Sequence, residues 1–285
     1  MRILVTGATG FVGRHLLKEL LTTNHEIIVT TSNEEKIKNF NFYSKVSVVV
    51  IDLNNIDTSK NYFDYLKRPN LVLHLAWQGL PNYHQLFHFE KNLIEHYTFL
   101  KNLIENGLED LVVTGTCFEY GMKEGCLYED MISDPQNAYA LAKDTLRKFL
   151  EQLQAKHSYE LKWIRLFYMY GGGQNPNSLL SQLESTAAKG DKIFNMSGGE
   201  QERDYLPVEK IGHYLKVIAL QNKINGIINC CSGKPVKIID LVEDFMKKRN
   251  IAIQLNKGYY PYAQDEPMSF WGNTTKLNEI IKSSQ

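Results

Sequence analysis

RILVTGATGFVGRHL, residues 2–16, decides how the rest of this chain is read. An apolar run (Ile3, Leu4, Val5) stops at Thr6, and glycines follow at Gly7, Gly10 and Gly13. An amphipathic pattern then starts with Phe11, Val12, Leu16 and Leu17. That order predicts a buried strand, a tight glycine turn and a helix N-terminus. Gly7 permits the turn, Gly10 lets a pyrophosphate approach the backbone, and Gly13 lets the helix pack closely on the strand. Free N–H groups and the dipole at the helix start attract phosphate charge. The spacing is G-x-x-G-x-x-G, distinct from the G-x-G-x-x-G of ordinary dinucleotide dehydrogenases. A purely structural turn is the competing reading; a dinucleotide site is the expectation carried forward.

Composition bounds the class. A chain of 285 residues can bury a large core, as one α/β unit or two interlocked domains. With 43% hydrophobic and 22% charged residues, a disordered or fibrous protein is not expected. Lys+Arg and Asp+Glu balance at 32 each, which leaves no net field for nucleic acid or an anionic membrane. No apolar stretch approaches a membrane span and no signal-like segment precedes the first strand, so a cytoplasmic protein is expected. The four cysteines lack paired C-x-x-C spacing, and Cys230–Cys231 in GIINCCSG read as small core residues of a buried strand. Eight histidines form no H-E-x-x-H or H-x-H cluster, so no metal is expected.

Strand-like runs recur at Ile3–Val5, Ile27–Val29, Val46–Ile51, Leu71–Leu75, Leu111–Val113 and Leu161–Ile164. Helical patterns at Phe11–Leu21, Leu93–Glu105 and Ala138–Gln154 separate some of them. This alternation predicts a Rossmann-like, doubly wound α/β fold with a parallel sheet covered on both faces. After about residue 166 the rhythm changes, beginning with a loop at Gly171–Gly172–Gly173. Residues 1–165 are therefore expected to form the dinucleotide domain. Residues 166–285 should be mainly a smaller α/β substrate domain, with some segments crossing back.

Tyr139 and Lys143 make a Y-x-x-x-K pair inside a helical pattern, which places them on one face. A phenol with a reference pKa of about 10 needs help to exchange a proton near neutrality, and a nearby ammonium favours phenolate. Tyr97 and Lys101 match the same pattern, so context must decide. Thr114-Gly115-Thr116 lies just past the end of a predicted strand, where ligands bind in open parallel sheets. Thr116 is placed to give a hydroxyl to the oxygen that Tyr139 addresses. Tyr97 sits amid Leu93, Ile94, Leu100 and Leu103, which read as a packing face.

GATGFVG, IDL (Ile51–Leu53), LHLAW (Leu73–Trp77), TGTCFEYG (Thr114–Gly121), YALAK, RLFYMYG (Arg165–Gly171) and QERDYLPVEKIG (Gln201–Gly212) occur in this order. Together they resemble the extended short-chain dehydrogenase/reductase family, in particular its nucleotide-sugar epimerases, dehydratases and reductases. The resemblance thins only after about residue 240. It implies that Thr116, Tyr139 and Lys143 are catalytic, and that Gly7, Gly10, Phe11, Val12 and Gly13 cradle the cofactor. It further implies that Asp52 and Leu53 hold the adenine, that Leu75 and Ala76 line the cofactor, and that Arg203 clamps the substrate's diphosphate. A guanidinium suits that clamp because it is always charged and bonds bidentately. An ion pair of Arg203 with Asp204 or Glu209 is the alternative.

Departures from the family narrow the choice. Its 4,6-dehydratases carry an Asp-Glu pair after the catalytic Thr; Cys117 and Phe118 stand there, and Glu119 is one position late. Dehydration is disfavoured. Tyr168 replaces the Asn of the usual R-x-F-N. The second strand ends in Thr30, Thr31 and Ser32 in place of a ribose-binding Asp, and Arg14, Lys36 or Lys38 could supply a cation. NADP is therefore expected, with NAD as the alternative. The activity expected is reduction of the C4 keto group of a nucleotide-linked 4-keto-6-deoxy sugar. A nucleotide-sugar 4-epimerase using bound NAD is the runner-up, and a non-catalytic cofactor-binding protein the third reading. A homodimer is expected through helices near 85–106 and 138–156, with Leu93, Leu100, Leu103, Leu146, Phe149 and Leu150 supplying apolar faces.

Overall fold

The computed structural model describes residues 1–284. The chain runs β1 (Arg2–Thr6), α1 (Phe11–Leu20), β2 (Glu26–Thr31), α2 (Glu34–Lys38), β3 (Ser47–Val50), α3 (Tyr62–Tyr65), β4 (Leu71–His74), α4 (Leu93–Glu105) and β5 (Asp110–Thr116). It continues through β6 (Gly125–Leu127), α5 (Ala138–Leu153), β7 (Glu160–Leu166), β8 (Tyr168–Tyr170), α6 (Leu179–Ala188) and β9 (Ile193–Asn195). Then follow β10 (Glu202–Pro207), α7 (Val208–Leu220), β11 (Gly226–Cys230), β12 (Pro235–Lys237), α8 (Ile238–Arg249), β13 (Gln254–Asn256), β14 (Phe270–Gly272) and α9 (Thr275–Ser283).

Seven strands form one parallel sheet in the order β11-β7-β5-β4-β1-β2-β3. Successive side chains of a strand face opposite sides, and the core divides accordingly. Ile3, Val5, Ile27, Val29 and Val112 pack with Leu16, Leu17 and Leu20 of α1 and Ile211, Leu215 and Ile218 of α7. Leu4, Ile28, Leu111 and Val113 pack on the other face with Phe99, Leu100 and Leu103 of α4 and Leu146 and Leu150 of α5. Each such fully buried side chain contributes about 1.5–3 kcal/mol relative to exposure. Five of the residues expected at a dimer face (Leu93, Leu100, Leu103, Leu146 and Leu150) are thus spent inside this core, and only Phe149 is exposed.

Strand order reverses between β1 and β4, so a crevice opens beyond their carboxyl ends. Residues after 165 share in the main sheet: β11 pairs in parallel with β7, and α7 lies against α1. The rest of that segment builds the small sheets β12-β10-β8, β13-β9 and β14-β6, with a separate cluster of Leu180, Leu183, Phe194, Met196, Ile238 and Val242. Cys230 ends β11 and Cys231 follows it, both buried and free. No helix among the described residues is long and apolar enough to cross a membrane.

Two glycine contacts seat α1. A Cβ on Gly13 would collide with the Gly7 carbonyl oxygen and stand 2.9 Å from Ala8 Cα. One on Gly212 of α7 would lie 2.7 Å from the His15 carbonyl carbon. Backbone cannot yield as a flexible side chain can, so α1 must ride outward if Gly13 gains a methyl. Gly13→Ala is expected to lower Tm by several degrees, at about 2–4 °C per kcal/mol for a chain of this size. It should also weaken dinucleotide binding; a thermal scan of the purified variant checks the first effect and calorimetric titration the second.

Candidate active site

The glycine turn has the features a pyrophosphate needs. Gly7 has φ +71°, and a Cβ there would stand 2.7 Å from the Ala76 amide nitrogen on the neighbouring β4 loop. The α1 N-cap, Gly10, has no side-chain cap, so the first-turn N–H groups are not taken up by a capping side chain. Gly7, Gly10, Phe11, Val12 and Gly13 line one end of a cleft of about 770 Å³. These residues fit a dinucleotide. Leu75 lines the same cleft, whereas Asp52, Leu53 and Ala76 are not on its wall. Asp52 is exposed and accepts hydrogen bonds from the Asn54 backbone and side chain, and Leu53 is buried.

Beyond the turn the cleft is walled by Thr116, Tyr139 and Lys143 together. Asn137 caps α5 by accepting from the Ala140 N–H, and the helix carries Tyr139 and Lys143, both buried, one turn apart. Thr116 ends β5 and caps the short turn that follows, its hydroxyl accepting from the Phe118 N–H at 3.3 Å. The Tyr139 N–H donates to the Tyr83 carbonyl at 2.9 Å, which fastens the 79–88 loop to the start of α5. Tyr97 and Lys101 lie apart from the cleft: Tyr97 packs edge-on against Phe149, and Lys101 pairs with Glu105.

The electrostatics are set by burial. Lys143 faces indoles, 4.4 Å from the Trp77 ring and 5.5 Å from the Trp163 ring. Desolvation pulls its ammonium down to about 7, against a smaller opposing pull from Glu119. Burial also pushes the Tyr139 phenol up, with Tyr83, Glu119 and Cys117 adding to the rise. The phenol is thereby held in its protonated form. Among the described residues, no Asp or Glu lines the cleft. Glu119 is fully buried and bonded to the Thr116 N–H, the Trp163 indole and the Arg165 guanidinium, while Cys117 and Phe118 face the cleft.

Arg203 does not line the cleft. Its guanidinium pairs with Glu266 at 3.0 Å, donates to the Glu202 and Met268 carbonyls, and stands 4.7 Å from the Phe270 ring. The sequence-level alternatives, Asp204 or Glu209, are not its partners; Asp204 accepts instead from the Ser232 and Gly233 N–H groups. Of the cations considered for a 2′-phosphate, Arg14 donates to the Gly10 and Gly173 carbonyls and Lys38 pairs with Glu35 at 2.6 Å.

The pattern reading missed the aromatic wall. Trp77 lies edge-on to Tyr139 with 6.1 Å between ring centroids, and its indole N–H donates to His88 Nδ1. Beneath it runs a buried chain from Thr6 Oγ1 to His74 Nδ1 (2.9 Å) and from His74 Nε2 to His96 Nδ1 (2.8 Å). His96 stacks on Trp77 at 4.7 Å. The bulk of Trp77 inside LHLAW was the available signal; the histidines, from different elements, gave none.

Residues 3–231 match the model of the "NAD dependent epimerase/dehydratase family". The chain belongs to that family. It is an enzyme of the extended short-chain dehydrogenase/reductase type, and the family's nucleotide is NAD. It is similar to the dTDP-6-deoxy-L-talose 4-dehydrogenase (NAD(+)) of Aggregatibacter actinomycetemcomitans, 29% identical over 273 residues, covering 95% of this chain and 99% of that protein. The GDP-6-deoxy-D-talose 4-dehydrogenase of the same organism is 25% identical over 287 residues, covering 99% and 91%. In fold it is similar to the UDP-glucuronic acid 4-epimerase of Bacillus cereus, solved with UDP-glucuronic acid and NAD, at TM-score 0.85 and 22% identity over 99% and 93% of the two chains. The preference for NADP expected from Thr30–Ser32 finds no support among these relatives.

The depressed Lys143 has a consequence for stability. In the unfolded chain the amine titrates near its ordinary 10.5, in the folded protein at about 7. Below pH 7 the folded state therefore bears the full cost of a buried cation. That cost shrinks between the two values as the folded state sheds the proton, and vanishes above the upper one. Lys143→Met is expected to raise Tm relative to the parent at about pH 6 and to lose that advantage towards about pH 10. Thermal scans of both proteins across this range check it.

Proposed function

We propose that this enzyme reduces the C4 keto group of a nucleotide-linked 4-keto-6-deoxyhexose with a nicotinamide cofactor. The observation that carries the proposal is a cleft bearing Thr116, Tyr139 and Lys143 with no carboxylate on its wall. Reduction at a carbonyl needs a proton donor, and the buried Tyr139 phenol is held protonated. Loss of water across C5–C6 from a 4-keto sugar calls for carboxylates, and Cys117 and Phe118 occupy those positions. Bound nicotinamide supplies the hydride. Tyr139 gives its proton to the C4 oxygen, Thr116 donates a hydrogen bond to that oxygen, and Lys143 holds positive charge beside both as the alkoxide develops. The two 6-deoxytalose 4-dehydrogenases among the relatives support this assignment.

For the cofactor we infer NADH rather than the NADPH expected from sequence. Glu34 and Glu35 open α2 directly after β2, where a 2′-phosphate would meet like charge. Lys38 is neutralised by Glu35. Arg203 remains the proposed cation for the substrate's diphosphate, exchanging Glu266 for it on binding. Residues 1–165 and 166–285 keep their proposed division of labour between dinucleotide and sugar nucleotide.

Stoichiometric loss of NADH absorbance is expected on mixing with dTDP-4-keto-6-deoxyglucose, with NADPH slower. Tyr139→Phe should cut kcat by about 10²–10⁴-fold and leave cofactor affinity unchanged, while Tyr97→Phe has no effect. Sugar interconversion without nicotinamide consumption would make the protein a 4-epimerase. A marked preference for NADPH would reinstate the phosphate reading of Thr30–Ser32.

A homodimer is proposed through the outer faces of α4 and α5. With the leucines in the core, the surface left there is Ile94, Leu141 and Phe149, exposed at 53%, 45% and 38%, with Tyr97 packed on Phe149. Light scattering at micromolar concentration should give twice the chain mass, and Phe149→Glu the monomer. A monomeric parent protein would exclude the arrangement.

A further inference from the structure

Glu119 is a buried charge that the reaction itself does not use. Its side chain is fully buried among three donors. Oε1 accepts from the Thr116 N–H at 2.8 Å and from the Trp163 indole at 3.0 Å; Oε2 accepts from the same indole at 3.0 Å and from Arg165 Nε at 2.8 Å. Arg165 is itself 0% exposed, stacked 4.2 Å over the Tyr120 ring, and its Nη1 has no hydrogen-bond partner. Gly115 is what lets this group in: a Cβ there would collide with both the Trp163 indole nitrogen and the Glu119 carboxylate.

A buried ion pair is weak support for stability, since desolvation consumes most of the attraction. Its geometry, however, reaches two catalytic groups. The Thr116 backbone is pinned at the residue whose hydroxyl addresses the substrate oxygen. The Trp163 indole is fixed in the plane that Lys143 faces at 5.5 Å. Other elements bring Trp77, His74 and His96 towards that ammonium, and burial keeps both histidines uncharged, pulled far below their ordinary value. Glu119, paired with Arg165 Nε at 2.8 Å, is then an anion that favours charge on Lys143.

We propose that Glu119 is a positioning residue for two catalytic groups at once, anchoring the Thr116 backbone directly and holding Lys143 in register and in charge through Trp163 and its own carboxylate. The assignment explains why a carboxylate stands one position past the place where related dehydratases carry theirs. It has turned from the substrate to the sheet, where it orders the acid–base machinery without touching the sugar. It rests on the proposed catalytic roles of Thr116 and Lys143.

Two variants test it. Glu119→Gln keeps the shape and one acceptor for Thr116 but removes the charge and confronts Arg165 with an N–H₂ group. The double variant Glu119→Gln, Arg165→Met removes both charges together, a replacement that buried pairs commonly tolerate. The readouts are kcat and KM for the keto sugar, and the titration midpoint of Lys143 followed by NMR of ¹³C-lysine-labelled protein, assigned with Lys143→Met. Glu119→Gln is expected to lower kcat about 10–100-fold with KM within about threefold, as misplacement of a reacting group does. The Lys143 midpoint should fall by about one unit. The double variant should restore the midpoint towards the parent value and recover part of kcat. A midpoint unmoved in Glu119→Gln, or parental kcat in whichever variant folds, overturns the proposal. The titration needs no substrate, so a parent protein inactive on the keto sugar counts against the proposed function alone while the Lys143 midpoint still decides this inference.

Discussion

The close approach of Gly13 to Gly7 is the contact on which the remaining geometry depends. With no side chain at either position, the first turn of α1 sits on the β1 loop at backbone distance. That sets the height of the helix N-terminus over the crevice between β1 and β4, and so the place where phosphate charge can be received. It also fixes the opposite side of α1, where Leu16, Leu17 and Leu20 meet α7 and Gly212 lies against His15. A residue after 200 is thereby tied to the dinucleotide end of the molecule. The chain's later third cannot swing away as an independent lobe, because α7 and β11 belong to the main sheet's packing.

Chemistry at the other end of the cleft is governed by how few charges are present. A lysine beside a carboxylate would keep its ordinary pKa; Lys143 has indole faces instead and is pulled to about neutrality. A phenol beside a firm cation would ionise early; Tyr139, deep among aromatic rings, stays protonated. These two displacements act in the same direction. They favour a site that hands over a proton, and oppose one that must begin by taking one. In the oxidative direction the proposed acid–base role of Tyr139 would require its deprotonation first, which burial opposes. The same logic explains the neutrality of the buried histidines: next to a half-charged lysine, His74 and His96 serve as a hydrogen-bonded strut between β1, β4 and α4.

Local periodicity carried the sheet, the glycine turn and the helix bearing Tyr139 and Lys143, because each depends on spacing within a dozen residues. Thr116 was reachable for a related reason: a strand end in a parallel sheet is a site by topology. Partners distant in sequence were not legible. Arg203 meets Glu266, 63 positions away, and Glu119 meets Trp163 and Arg165, 44 and 46 positions away. No window of the sequence contains those pairings. The leucines of α4 and α5 were misread for a different cause. An apolar helix stripe shows that something is covered, and here the covering partner is the chain's own sheet.

Tyr168 shows how one departure from the family pattern propagates. The Asn expected there would present a small amide to the substrate; the tyrosine presents a ring against Phe118 and Tyr205 and sends its hydroxyl to Glu266 at 2.7 Å. Glu266 in turn holds Arg203. The substitution therefore both narrows the apolar part of the cleft and engages the carboxylate that restrains the proposed diphosphate cation. The C6 methyl of the proposed 6-deoxy sugar would find apolar surface on Phe118, Tyr83 and Tyr168, where an unpartnered hydroxyl or carboxylate would cost free energy to bury. An anionic diphosphate competing with Glu266 for Arg203 would free that carboxylate and loosen the Tyr168 hydroxyl with it. On the proposed substrate roles of Arg203 and Tyr168, recognition of the two ends of the substrate would be joined through a single glutamate, a joint that the tyrosine at this position makes.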